Sequence, residues 1–153
     1  MTKKVYMYTD GSCKPNPGPG GWAAIIIYNE HARVVGGFDK DRSTNNRMEV
    51  SAVIGGMNCL TTGCNVLLFT DSMYVINGIN RLRNHSMLDT NPDLWVSLRQ
   101  ALARHKLIGI EQVTAHAGEP FNEAADWYAR QCSARKQNVA ITCNASRVLA
   151  RSC

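Results

Sequence analysis

Four acidic side chains stand at positions where the sequence pattern makes an acid unusual. Asp10 ends an alternating segment rich in strand-forming residues, and Asp71 directly follows a continuous apolar run. Glu49 lies on the same face of a predicted helix as the apolar Val53. Asp126 lies near the start of the last predicted helix. Because an unpaired acid on a buried face costs free energy, we expect the four carboxylates to have a chemical role.

The chemistry that suits several carboxylates in one crevice is the binding of hard cations. Carboxylates repel one another unless protons or cations lie between them, and oxygen-only ligands favour Mg²⁺ or Mn²⁺. Two such ions can hold the attacking water and the leaving oxygen of a phosphodiester hydrolysis. Each acid alone is equally compatible with a surface charge or a helix cap, a cap especially for Asp71. The set of four favours a metal site.

Hydrophobic periodicity gives the elements that must position these acids. We predict strands over residues 4–10, 22–28, 33–38, 66–69 and 108–114, and helices that begin near residues 46, 72, 92 and 120. The order β β β α β α α β α indicates an α/β domain with a mixed sheet covered by helices. If the first and fourth strands are parallel neighbours, Asp10 and Asp71 meet at their carboxyl ends, where open α/β sheets bind ligands.

Length and composition predict one globular domain in a reducing compartment. The chain has 153 residues, of which 44% are apolar and 19% charged. No apolar run is long enough to span a membrane, and no secretory signal is recognisable, so we expect a cytoplasmic protein without a membrane partner. The six cysteines are therefore expected to be reduced thiols rather than disulfides.

Charge is distributed unevenly along the chain. Of the 17 basic and 12 acidic residues, 12 of each lie in residues 1–126, so the net charge of +5 comes from the last 27 residues. A basic pole favours a polyanionic partner, although a solvated charged tail is the commoner explanation. We predict a domain over residues 1–137 and a basic tail over 138–153 that is loosely attached or disordered.

Five segments, in order and with compatible spacing, carry a resemblance to a known family. They read YTDGSCKPNPGPGGW, STNNRMEV, FTDSMYV, DLW and AHAGEPFNEAAD. Together they resemble ribonuclease HI, the type 1 ribonuclease H family, over roughly residues 4–135. The resemblance implies a ribonuclease H-like fold, with a five-stranded mixed sheet of three antiparallel and two parallel strands flanked by helices. It also implies a monomer.

The implied activity is endonucleolytic hydrolysis of the RNA strand of RNA/DNA hybrids, which leaves 3′-hydroxyl and 5′-phosphate ends. By position, the four acids match the family's metal-binding carboxylates, which hold two Mg²⁺ ions, with Mn²⁺ as a substitute. His116 matches the family's loop histidine, whose suggested role is to move a proton or to help release product. A free imidazole titrates near neutrality, which suits proton transfer.

The resemblance also implies residues that bind the substrate. Those expected near the ribose 2′-hydroxyl, besides Glu49, are Gly11, Cys13, Asn16, Asn45 and Asn46. Arg42 and Thr44 match a phosphate-binding pocket for the DNA strand. Simpler structural explanations remain open: helix capping for Asn45 and Asn46, a proline-flanked turn for Asn16, and solvated surface for Arg42.

The sequence departs from the family pattern in two places. Between Tyr74 and Asp93 it lacks the basic, tryptophan-bearing handle of well-known bacterial members, which predicts weaker and differently placed hybrid binding. The basic C-terminal pole is a candidate for compensating that loss. Ala115 stands where glycine usually precedes the histidine, and Met73 stands where a polar residue is common.

Two other functions are compatible with parts of this pattern. One is a related carboxylate-metal nuclease that acts on DNA, which the asparagines near Asp10 and Glu49 argue against. The other is a hybrid-binding module without turnover. A pure binder gains nothing from clustered negative charge that faces phosphate, so the retention of four acids and His116 argues against the second.

Overall fold

The computed structural model describes residues 3–61, 63–86, 88–115 and 117–153. The strands are β1 (Lys4–Cys13), β2 (Gly18–Tyr28), β3 (His31–Ser43), β4 (Asn65–Thr70), β5 (Lys106–Gln112) and β6 (Val139–Asn144). The helices are α1 (Asn45–Asn58), α2 (Met73–Arg83), α3 (Pro92–Leu102), α4 (Pro120–Arg135) and α5 (Ala145–Leu149). They follow the predicted order through α4, and β6 and α5 are additional.

The strands form one mixed sheet in the order β5-β4-β1-β2-β3-β6. The strands β1, β2 and β3 form an antiparallel meander, while β4 is parallel to both β1 and β5. The predicted parallel pairing of the first and fourth strands is confirmed. Because β1 and β4 run side by side, the residues that follow their carboxyl ends share one edge of the sheet.

A hydrophobic core lies on each face of the sheet. On one face, α1, α2 and α3 cover a core that includes Met7, Val53 and Leu68. On the other face, α4 covers a core that includes Ile25 and Ala125. Burial of these apolar side chains fixes both sets of helices against the sheet.

The C-terminal segment corrects three expectations. Residues 139–144 form β6, which pairs antiparallel with β3, so the described sheet has six strands instead of five. Val148 of α5 is fully buried in the α4 core, which contradicts a loosely attached tail at this position. Cys143 and Cys153 form a disulfide, so the expectation of six reduced thiols is wrong for this pair. A domain boundary after residue 137 stays a prediction.

Some strands and helices are longer than predicted, because they continue beyond the apolar residues that indicated them. The strand β1 runs on to Cys13 and β2 begins at Gly18, because the glycine-rich stretch between the predicted strands pairs as a ladder. The helix α2, which was predicted to begin near residue 72, runs from Met73 to Arg83. Backbone pairing, more than side-chain pattern, sets these ends.

Candidate active site

Three of the four predicted acids converge at the edge where β1 and β4 end. Asp10, Glu49 and Asp71 each contribute a carboxylate oxygen to a group whose atoms lie within 4.8 Å of one another. Tyr8 of β1 pairs with Phe69 of β4, which places Asp10 and Asp71 two residues further along parallel strands. The predicted helical face brings Glu49 over the same edge.

Gly11 allows the close approach of α1 to β1 on which this convergence depends. A Cβ atom at Gly11 would lie 2.5 Å from the backbone nitrogen of Glu49, inside any real contact distance. The Gly11 N–H donates hydrogen bonds to Asp10 Oδ1 at 2.9 Å and to Glu49 Oε1 at 3.0 Å. One backbone donor therefore links two of the carboxylates.

The clustering raises the pKa of two acids. Burial raises the pKa of Asp10 to about 7, opposed by a hydrogen bond with Glu49 and reinforced by the charges of Asp71 and Asp126. Burial, and then the charge of Asp10, raise the pKa of Glu49 well above its usual range. Both shifts mean that the folded protein holds negative charge here at a cost.

Asp126 lies beside this group without belonging to it. It projects from α4 into the same cavity, where its negative charge helps to raise the pKa of Asp10. One of its oxygens also forms an ion pair with Arg130 at 3.0 Å, one helical turn further along α4. The four predicted acids therefore line one cavity of about 350 Å³, which we call the acid cavity.

The predicted substrate residues around the start of α1 form a connected set. The Cys13 N–H donates to Asn45 Oδ1 at 2.8 Å, and the Asn45 N–H donates to Asn16 Oδ1 at 3.2 Å. Asn16, Asn45, Asn46 and Thr44 line a second cavity next to the acid cavity. The helix cap is Thr44, whose hydroxyl accepts from Arg47 N–H at 3.2 Å, so capping does not explain the asparagines.

One predicted site residue in the described part of the chain is not brought into this arrangement. Arg42 is exposed on β3 and lines neither cavity. His116 lies outside the described residues, so its predicted role stays a prediction.

Known proteins are similar to this chain over most of its length. A model of the RNase H family matches residues 2–134. The chain belongs to the ribonuclease H family. It is 47% identical over 135 residues to ribonuclease H of Granulibacter bethesdensis, which covers 82% of this chain and 89% of that protein. It is 43% identical over 141 residues to ribonuclease HI of Caulobacter vibrioides, which covers 86% of this chain and 93% of that protein.

Solved structures share the fold of this ribonuclease H family member. LC9-RNase H1, a type 1 RNase H with the type 2 active-site motif, has a TM-score of 0.79 at 24% identity, covering 95% of this chain and 79% of that one. LC11-RNase H1 in complex with an RNA/DNA hybrid has a TM-score of 0.67 at 16% identity, covering 86% of this chain and 98% of that one. The predicted ribonuclease H-like fold class is confirmed. No helix in the described ranges is long and apolar enough to cross a bilayer.

Sequence reasoning missed two basic residues of the acid cavity in this family member. Lys14 and Arg130 both line it. Arg130 had a signal, because a basic residue four positions after an acid on a helix commonly pairs with it. Lys14 had no such sequence signal, because it lies in a turn and only the folding of the chain brings that turn to the acid cavity.

A hydrogen-bond network centred on Tyr74 borders the acid cavity. The Tyr74 hydroxyl accepts from Asn91 Nδ2 at 2.9 Å and from Trp95 Nε1 at 3.3 Å, and it pairs with Thr90 Oγ1 at 2.6 Å. Tyr74 lines both the acid cavity and the asparagine-lined cavity. The network therefore fixes the wall between them.

Proposed function

We propose that this protein is an endoribonuclease that hydrolyses the RNA strand of RNA/DNA hybrids, leaving 3′-hydroxyl and 5′-phosphate ends. The observation that carries the proposal is the convergence of three carboxylates within 4.8 Å in a chain of the ribonuclease H family. Curated relatives in two bacteria bear the name ribonuclease H or HI, and one structural neighbour was solved with an RNA/DNA hybrid.

The donor set fits divalent cations. It contains only oxygen ligands, which favour Mg²⁺ and accept Mn²⁺. Glu49 Oε2 is buried and has no hydrogen-bond partner among the described residues, and burial and neighbouring charge raise the pKa of two of the acids. A cation removes both costs. We assign Asp10, Glu49, Asp71 and Asp126 as ligands of two Mg²⁺ ions.

Bound divalent cations supply activation of the attacking water and charge compensation at the phosphate. The protein's own residues prepare the site for that chemistry. The Gly11 N–H orients two carboxylates, and Arg130 holds the Asp126 carboxylate through its ion pair. We assign to His116, between β5 and α4, the proton transfer or product release that the family suggests.

Recognition of ribose is assigned to the region around the start of α1. Because Asn45 Oδ1 accepts from the Cys13 backbone, the Asn45 amide nitrogen is directed elsewhere and has no hydrogen-bond partner among the described residues. An amide N–H₂ offers donors to a 2′-hydroxyl, the group that distinguishes RNA from DNA. We assign the same role to Gly11, Cys13, Asn16 and Asn46.

Arg42 and Thr44 are assigned to a phosphate of the DNA strand. The exposed Arg42 guanidinium is accessible to such a group, and Thr44 lies at the start of α1, where backbone N–H groups favour an anion. A monomeric state and a cytoplasmic location complete the proposal. Sedimentation of the purified protein tests the monomer.

Cleavage of labelled duplexes tests the proposed activity. The protein is incubated with RNA/DNA hybrid, duplex RNA and duplex DNA, in Mg²⁺ or in chelator. We expect cuts only in the RNA strand of the hybrid, lost in chelator and in Asp71→Asn but retained in Asp89→Asn, which changes an exposed acid. Cleavage of duplex DNA indicates the DNA nuclease instead, and tight hybrid binding without cleavage indicates a binding module.

A further inference from the structure

A further cavity lies between α4 and β6, and its lining begins at Trp127, next to Asp126 in sequence. Its volume is about 280 Å³, and its walls include Trp127, Tyr128, Gln131, Arg135 and Arg151. We call it the α4–β6 cavity. No carboxylate side chain lines it among the described residues, whereas two guanidinium groups do. The cavity is therefore rich in hydrogen-bond donors.

Arg151 is held in place by the backbone around it. It adopts a left-handed conformation with φ 56°, which ends α5. The Ser152 N–H donates to the Arg147 carbonyl at 2.9 Å, as in a Schellman turn. One Arg151 nitrogen donates to the Leu149 carbonyl at 2.7 Å, which leaves further N–H donors for a ligand. The neighbouring Cys153 is joined to β6 by the disulfide.

A buried hydroxyl in the wall also lacks a partner. Tyr128 is 5% exposed, and its hydroxyl makes no hydrogen bond to any described residue. Burial raises the pKa of Tyr128 while the positive charge of Arg151 lowers it, so the phenol and the guanidinium lie within electrostatic range. A buried hydroxyl without a partner is uncommon, because its desolvation is then uncompensated. The hydroxyl oxygen is enclosed within the wall, so the Arg151 guanidinium is the group beside it that an anion in the cavity can reach.

The location suits a chain of phosphates that passes through the acid cavity. Across the sheet, Asp10 pairs with Ala23, Ala23 with Gly36, and Gly36 with Val139, so the start of β6 is level with Asp10. Nine residues of α4 separate Asp126 from Arg135, which corresponds to about 14 Å along the helix. A nucleic-acid strand advances that distance in about four nucleotides of 3.4 Å.

We propose that the α4–β6 cavity binds a backbone phosphate of the nucleic-acid substrate through Arg135 and Arg151. The proposal rests on the proposed function, because it takes the substrate in the acid cavity to be a polyanionic duplex. It assigns a specific site to the net positive charge that the sequence concentrates in its last 27 residues.

Binding of inorganic phosphate tests whether the cavity takes this chemical group. Side-chain NMR of the full chain follows Trp127 and the arginines during a phosphate titration. We expect saturable shifts in the wild type and their loss in Arg135→Gln/Arg151→Gln. Arg99→Gln, which removes one exposed charge from α3, should leave them unchanged. Absence of saturable shifts in the wild type would overturn the proposal.

Binding of a hybrid duplex tests whether the phosphate belongs to nucleic acid. In an Asp71→Asn background, the double glutamine variant should lower the salt slope of hybrid binding by about 1, as for one lost phosphate contact. Phosphate binding with an unchanged slope assigns the cavity to a small anion and contradicts the proposal. If the variant changes the salt slope but the hybrid causes no NMR shift of Trp127 in the protein with the intact cavity, the arginines act through long-range electrostatics. That result also contradicts the proposal.

Neither readout depends on cleavage, so the two proposals fail separately. A wild type that shows both binding effects and never cuts hybrids contradicts the proposed function alone. A wild type that cuts hybrids while the double variant binds them unchanged contradicts this inference alone.

Discussion

The acid cavity and the α4–β6 cavity are built in opposite ways. The acid cavity gathers carboxylates from four segments spread along the chain, whereas residues 127–153 alone line the α4–β6 cavity. The first is lined by four acids and two bases, and the second by two arginines and no acid among the described residues. One region requires cations, and the other offers donors to an anion.

The difference shows where the molecule accepts a cost in stability. Asp10 and Glu49 are buried with raised pKa values, so their ionised forms are unfavourable until a cation is bound. The arginines of the α4–β6 cavity keep part of their surface in water and carry no comparable desolvation cost. Removing charge should therefore have opposite consequences in the two regions.

Replacing Asp10 by Asn should give the largest effect. It removes one carboxylate of the cluster, so we expect hybrid cleavage to fall by more than the roughly hundredfold loss typical of outer-shell changes. The metal-free variant should also be more stable than the wild type at neutral pH, because a buried charge is gone. Cleavage rates and thermal unfolding in chelator measure the two effects.

Asp93→Asn is the matched control for Asp10→Asn. It removes an exposed acid that pairs with Arg47 at 2.8 Å, so it should cost stability and leave most of the cleavage rate intact. If Asp10→Asn were less stable than the wild type in chelator, the acid cavity would not be the strained region of the comparison.

The raised pKa of Asp10 predicts a pH dependence of stability in metal-free protein. Between its usual value of 3.8 and about 7, the folded state binds more protons than the unfolded state. The free energy of unfolding should therefore fall as pH rises through this window, by a few kcal/mol in total. Urea unfolding in chelator at several pH values measures the slope, and Mg²⁺ should reduce it. A slope that persists in Asp10→Asn would assign the effect to other groups.

Breaking the disulfide should have a smaller and more local effect. Cys143→Ser opens a loop with a sequence separation of 10, which the chain-entropy model values at up to about 3 kcal/mol. We expect faster amide exchange in β6 and α5, with cleavage at saturating hybrid unchanged. Cys59→Ser, which alters a free thiol elsewhere, controls for the loss of sulfur. A large loss of cleavage in Cys143→Ser would show that the two regions are not independent.

The contrast also explains what the sequence could predict. Asp10 and Asp71 were placed together because two parallel strands end at one edge, and Glu49 was placed on the inner face by helical spacing. Both rules relate residues that are far apart along the chain, yet each can be applied from the local sequence around the acid. Helical spacing also indicates the ion pair of Asp126 with Arg130, four residues further along α4, but coordinates were needed to place both side chains in the acid cavity.

The C-terminal segment escaped prediction for a physical reason. Residues 139–143 alternate as a strand should, with Val139 and Ile141 half-buried between exposed neighbours. The run is short, however, and it becomes a strand only by pairing with β3, more than 100 residues away. The sequence did not predict the disulfide, because the lack of a recognisable secretory signal indicated reduced thiols. The fold places Cys143 and Cys153 together.

Removing the Tyr74 hydroxyl should give the smallest effect on cleavage. It tests what the wall of the acid cavity contributes to the reaction. Tyr74→Phe leaves the indole N–H of the buried Trp95 without its partner, which typically costs about 1 to 3 kcal/mol. We expect a lower melting temperature and a higher KM with kcat nearly unchanged, because the wall positions substrate and holds no proposed ligand. Tyr6→Phe, at an exposed tyrosine of β1, should change neither. A selective loss of kcat in Tyr74→Phe would mean that the hydroxyl takes part in the chemistry itself.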